Sequence, residues 1–122
     1  MEVRHVDPNT GGAKCNKPSQ ISTLDPLAML AMGEIAAYGL DKYARYNYLR
    51  GFDYSLAYDA MQRHANLAWS GEDIDSESGL SHWGHAAWHC MALLSFQIRG
   101  IGNDNRPHYD VINNVEANKK TI

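Results

Sequence analysis

The chain has 122 residues, a net charge of −3 and 44% hydrophobic residues, which fits a single domain, 1–122, with one small core. That charge gives no general basic field and no apolar run approaches the ~20 residues of a membrane span, so neither a nucleic-acid polymer nor a membrane is expected as a partner. Cys15 and Cys90 form no CxxC pair, and the first residues lack the apolar run of a signal peptide; both facts point to a reduced, cytoplasmic protein.

Residues 1–23 are rich in Gly, Pro, Asn, Ser and Lys and read as an N-terminal arm, with a helical core over 24–100. Asp25-Pro26 starts a helix, Asp as N-cap and Pro at the first helical position. Leu27, Leu30, Ala31, Ile35 and Tyr38 then recur at helical spacing, and Gly39 is the stop. The aromatic and basic stretch 40–52 contains a further helical turn. Asp53 or Ser55 caps a second helix that runs to about Ser70, with Gly71 as its stop. Ser81 caps a third helix ending near Gly100. Residues 101–122 are polar, weakly periodic and read as a C-terminal tail. No strand pattern of alternating Val and Ile occurs. The expected fold is all-α, a small helical bundle, and so short a bundle often completes its core by forming an oligomer.

The stretch between the second and third helices concentrates the chemistry. Glu72, Asp73, Asp75 and Glu77 fall within six residues, followed by His82, His85 and His89, and no Lys or Arg occurs from His64 to Ile98. Carboxylates without local countercharge repel one another unless water or a cation screens them. Carboxylates plus imidazoles beside a helix start are the raw material of a divalent-metal site. The bland alternative is a solvated acidic loop beside a helix of packed core histidines. At 100° per residue, the three histidines share a wedge of about 60°, but His82 and His89 are about 10.5 Å apart along the axis, too far to ligate one ion easily. HxxH without HExxH or a Cys set argues against a zinc hydrolase, and hard carboxylate oxygens favour Mg²⁺ or Mn²⁺.

Glu34 lies on or beside the apolar stripe of the first helix, where a carboxylate needs a partner such as a metal or a basic side chain. Solvation at the stripe's edge is its alternative. Lys42 and Arg63 are suited to hold phosphate oxygens, while Arg45 and Arg50 read as surface charge. Trp69, Trp83 and Trp88 read as core, with one of them or Tyr48 available to line a base pocket.

Taken in order, Lys17-Pro18, Glu34, Gly39 with Lys42-Tyr43, Asn47, Arg63-His64 and GEDIDSESGLSHWGHA resemble the phage dATP/dGTP diphosphohydrolase family. That family is related to the MazG-like all-α nucleoside triphosphate pyrophosphatases. The resemblance runs from about Lys14 to Gln97, and its specific part is Arg63 to Ala86. It implies a helical bundle assembled as a homodimer or homotetramer. It implies hydrolysis of purine (d)NTPs (dATP, dGTP) between the α and β phosphates, giving (d)NMP and pyrophosphate with two or more Mg²⁺ or Mn²⁺ ions. The size and pattern are also similar to enzymes of phages that replace adenine by 2-aminoadenine in DNA, which would place the protein in the host cytoplasm.

The wider superfamily carries ExxE and ExxD pairs, whereas here Ala37 follows Glu34 at i+3 and His82-Trp-Gly-His85 stands where Glu-x-x-Asp is expected. The ligand set drawn from the resemblance is therefore Glu34, Glu72 and Asp75, with His82 or His85 completing the shell. Glu34, Glu72, Asp75 and His82 form the catalytic set, and a carboxylate, His64 or His82 is the general base. Lys17, Lys42, Asn47, Arg63 and His64 bind substrate, with Lys14 and Lys17 on an arm that closes over the nucleotide. Two other classes compete: a non-catalytic regulator that binds nucleotide or metal, and a structural assembly protein with the His face as its interface.

Overall fold

The structure is a computed structural model and describes residues 3–108. The chain divides into two compact units, Met1–Leu30 and Ala31–Ile122. Residues 109–122 of the expected tail lie outside the described residues.

The first unit contains a β-hairpin, which corrects the purely all-α expectation. Strand β1 (Val3–Val6) pairs antiparallel with β2 (Ala13–Asn16), Val3 opposite Asn16 and Val6 opposite Ala13. Local chemistry closes the turn. The Asp7 carboxylate accepts from the backbone N–H groups of Asn9 and Thr10, and the Asp7 N–H donates to the Gly12 carbonyl. Gly11 has φ +75°, a region open to glycine. Both strands have only four residues and almost no buried side chain, so hydrophobic alternation could not announce them. A 3₁₀ turn, Ile21–Thr23, follows.

Helix α1 (Pro26–Gly39) begins where the Asp25-Pro26 pair places it, and the Asp25 carboxylate accepts from the Leu27 N–H. In the second unit Ile35 is its buried side chain. Gly84 gives Ile35 room: a Cβ there would lie 3.3 Å from the Ile35 side chain. A 3₁₀ turn, Asn47–Arg50, fulfils the expected extra helical turn.

Helices α2 (Tyr54–Trp69) and α3 (His82–Arg99) form the main packing pair. Small side chains bring them close, since Ala57, Ala68, Ala86 and Ala92 are all buried at or near this contact. Phe96 is fully buried, with Phe52 edge-on at 5.0 Å and Tyr54 at 5.8 Å between ring centres. The start of α2 is capped differently from the sequence expectation. The Asp53 side chain accepts from the Asn103 amide and does not bond an α2 N–H. The Ser55 N–H donates to the Asn105 side chain instead, and the Tyr54 N–H donates to the Asn103 carbonyl. Residues 103–105 thus return to satisfy orphan donors of a helix that began fifty residues earlier. Among the described residues, no helix is long and apolar enough to cross a membrane.

Candidate metal centre

The loop between α2 and α3 is folded by its own backbone. Ile74 and Ser81 form an antiparallel bridge, the Asp75 N–H donates to the Leu80 carbonyl, and the Gly79 N–H donates to the Asp75 carbonyl at 2.7 Å. Gly79 closes the turn at φ +72°. The His82 N–H donates to the Asp73 carbonyl, and Ser81 caps α3 by accepting from the Gly84 N–H. The acidic run is thereby bent back over the first turn of α3.

Three histidines are buried beneath it: His64 from α2, His82 and His85 from α3. His64 stacks on His85 with ring centres 4.4 Å apart, and its ring lies 6.0 Å from that of His89. His82 Nε2 is 2.6 Å from Glu72 Oε2, and His82 Nδ1 is 2.8 Å from His64 Nδ1. A carboxylate only accepts, so His82 Nε2 carries the proton and a neutral His82 has a lone pair at Nδ1. Two imidazole nitrogens 2.8 Å apart need a proton or a cation between them; in the metal-free chain the His64 Nδ1–H supplies it.

Asp75 Oδ2 accepts from the Ser78 hydroxyl at 2.8 Å and from its backbone N–H at 3.0 Å. The same hydroxyl is 2.7 Å from His85 Nε2. His89 Nδ1 donates to the His85 carbonyl at 2.8 Å.

Electrostatics follow from this burial. Desolvation first, then repulsion from His85 and Arg63, pushes His64 down to about 4. Burial also lowers His85 and His89. For Asp75, burial acts upward, but the Ser78 hydrogen bonds and the neighbouring His85 outweigh it and hold the carboxyl below its usual value. At neutral pH His64 and His85 are therefore neutral imidazoles and Asp75 an ionised carboxylate, the protonation states that metal ligands require.

The donor set fits a divalent ion. One ligand atom each from His64, Asp75 and His82 can be chosen so that all lie within 4.8 Å of one another. Ligand atoms around one ion at ~2.1 Å lie about 3 to 4.2 Å apart, so little adjustment is needed. The Glu72–His82 contact is the carboxylate–histidine pairing that orients metal-binding imidazoles. Two imidazoles and one carboxylate suit Mn²⁺ or another first-row ion better than Mg²⁺.

The expected site residues are distributed unevenly about this centre. Asp75 and His82 meet in it. Glu72 touches the far nitrogen of His82, and His85 is held by Ser78 and stacked on His64. His64, expected at the substrate, stands among the candidate ligands. Glu34 is exposed on α1, where Ile35 takes the buried position. Lys42 bonds Glu77 at 3.0 Å and sits over the Tyr38 ring, whose edge meets His85. Arg63 is exposed beside His64, Asn47 is half-buried in the 3₁₀ turn after α1, and Lys17 belongs to the separate N-terminal unit. Trp69 and Trp83 are exposed, which corrects their reading as core, whereas Trp88 is half-buried against Tyr48. Ser78 was not singled out by sequence; its signal was its place three residues after Asp75, an acceptor-plus-turn spacing.

A family model described as dATP/dGTP diphosphohydrolase, N-terminal, matches residues 8–106. No curated protein and no solved structure matches the chain.

Proposed function

The chain belongs to the dATP/dGTP diphosphohydrolase family, matched through that family's N-terminal region, and we propose that it hydrolyses dATP and dGTP to the monophosphate and pyrophosphate with a divalent cation, Mn²⁺ or Mg²⁺. The observation that carries the reading is the group of buried His64 and His82 with half-buried Asp75 of the acidic loop, backed by Glu72. His64, Asp75 and His82 would hold a cation, and the exposed carboxylates of the loop, such as Glu72 and Glu77, would be available to a second. When bound, that cation supplies positive charge against the triphosphate and the developing pyrophosphate.

The protein's own groups do the rest. Water attacks the α-phosphorus, the bond from that phosphorus to the α–β bridging oxygen breaks, and pyrophosphate leaves with the bonding electrons. The proton lost by the water passes to a neutral imidazole outside the ligand set or to a loop carboxylate; burial keeps His85 neutral for this. Arg63 and Lys42 steady the phosphates, Lys42 exchanging Glu77 for a phosphate oxygen. Lys17 and Asn47 are assigned to the substrate on the family pattern, and Glu34 remains a proposed ligand from α1.

The reading extends to biology and assembly. Removal of dATP and production of dGMP suit a phage that builds DNA with 2-aminoadenine, working in the host cytoplasm as a homodimer or homotetramer. Incubation with each of the four dNTPs and Mn²⁺, followed by product chromatography, tests the reaction. Purine monophosphate with equimolar pyrophosphate is expected. Tight nucleotide binding without product would instead identify a regulator.

A further inference from the structure

Ser78 stands outside every role assigned so far, yet it links half-buried Asp75 to buried His85. Its hydroxyl has one proton. An ionised carboxylate only accepts, so that proton is donated to Asp75 Oδ2, 2.8 Å away. The hydroxyl's contact with His85 Nε2, at 2.7 Å, must then run the other way, with His85 donating. The Ser78 backbone N–H also donates to Asp75 Oδ2, at 3.0 Å. His85 Nε2 itself lies 3.8 Å from Asp75 Oδ2, too far for a direct hydrogen bond.

We infer that Ser78 is a positioning residue for the metal centre, aiming Asp75 at the cation through one oxygen and locking the His85 tautomer with the other face of the same hydroxyl. This rests on the metal reading of that centre. Two donors saturate Oδ2 and fix the carboxylate plane, which leaves Oδ1 as the atom to present to an ion. His85, held as the Nε2–H tautomer, cannot compete as a ligand through that nitrogen and serves as a wall against which His64 stacks at 4.4 Å. Two of the three candidate ligands, Asp75 from the loop and His64 from α2, are thus tied to one another through Ser78 and His85. The chain Asp75–Ser78–His85 has the composition of a hydrolytic triad but not its order. Here the carboxylate bonds the serine and not the imidazole, so the hydroxyl is no activated nucleophile.

The test is Mn²⁺ affinity of the full chain, measured by electron paramagnetic resonance without nucleotide, alongside the thermal midpoint of the metal-free protein. Ser78→Ala should weaken Mn²⁺ binding roughly 10- to 100-fold, the usual cost of removing a group that orients a ligand. Ser78→Thr, which keeps the hydroxyl, should bind within about threefold of the unmodified chain by the same reasoning. A purely structural serine would lower the metal-free midpoint and leave the affinity alone; that result overturns the inference. If Ser78→Ala does not fold, Ser78→Cys replaces it, and Mn²⁺ affinity equal to that of the unmodified chain overturns the inference equally. Absence of Mn²⁺ binding by the unmodified chain would overturn the metal reading itself, a distinct failure.

Discussion

At the residue scale, burial keeps His64, His85 and His89 neutral, and pH should expose that. His64 is held near 4 when folded against 6.5 as its ordinary value, and His85 and His89 are lowered too. The unfolded chain therefore binds more protons than the folded one between pH 6.5 and 4. Stability is fully present above 6.5 and is lost as pH falls through that window. For His64 the loss is on the order of 3 kcal/mol. Urea titrations of the metal-free protein at pH 7.5 and 4.5 should show the midpoint falling at the lower pH; an unchanged midpoint would place these rings in contact with water. Much of this centre was legible in the sequence. Asp75, His82 and His85 stood out because acids and histidines crowd one cation-free stretch. The place of His64 in this cluster was not legible, because only the packing of α2 on α3 brings it 2.8 Å from a residue eighteen positions away. The exposed place of Glu34 was not legible either, because its helix is apolar around most of its circumference, so spacing alone did not say which side faces inward.

At the element scale, helix ends were readable where a single local residue fixes them. Ser81 caps α3 and Gly100 ends it at φ +63°, as the sequence indicates. The start of α2 falls after Asp53, as the sequence indicates, but the groups that satisfy its first N–H donors come from Asn103 and Asn105, which sequence proximity cannot reveal. The β-hairpin escaped for a similar reason: its strands are short and solvated on both faces. The closing contact of α2 with residues 101–105 makes a sharp prediction. Gly51 has φ +83°, and a Cβ there would lie 2.5 Å from the Gly102 nitrogen. Gly51→Ala should cost more than about 1 kcal/mol through both strain and clash. Gly71, also at positive φ but with nothing near its Cβ position, is the control that isolates the clash. Denaturant unfolding of the two variants measures it, and equal losses would show that the backbone moves aside.

At the scale of the whole molecule, α3 carries two apolar faces. One holds Ala92 and Phe96 against α2. The other, nearly opposite at 100° per residue, runs Trp83, Ala87, Cys90, Leu94 and Ile98, and its three large members, Trp83, Leu94 and Ile98, are at least half exposed. A helix apolar on both sides is normally buried on both, so this second stripe is the surface on which the proposed homodimer or homotetramer would form. Leu94→Glu combined with Ile98→Glu should halve the sedimenting mass or reduce it further, while the metal centre, on the other face, keeps its Mn²⁺ affinity. A monomeric starting protein would remove the assembly from the account.

The central claim is that one buried cluster holds the cation that serves purine triphosphate hydrolysis. It is tested most directly by pyrophosphate release from dGTP and dATP, with Mn²⁺ and with chelator, for the unmodified chain and for Asp75→Asn. The account predicts pyrophosphate and the purine monophosphate only with the cation, and a loss of about a hundredfold or more in kcat/KM for Asp75→Asn. Undiminished turnover in chelator, or in a folded Asp75→Asn variant, would contradict it.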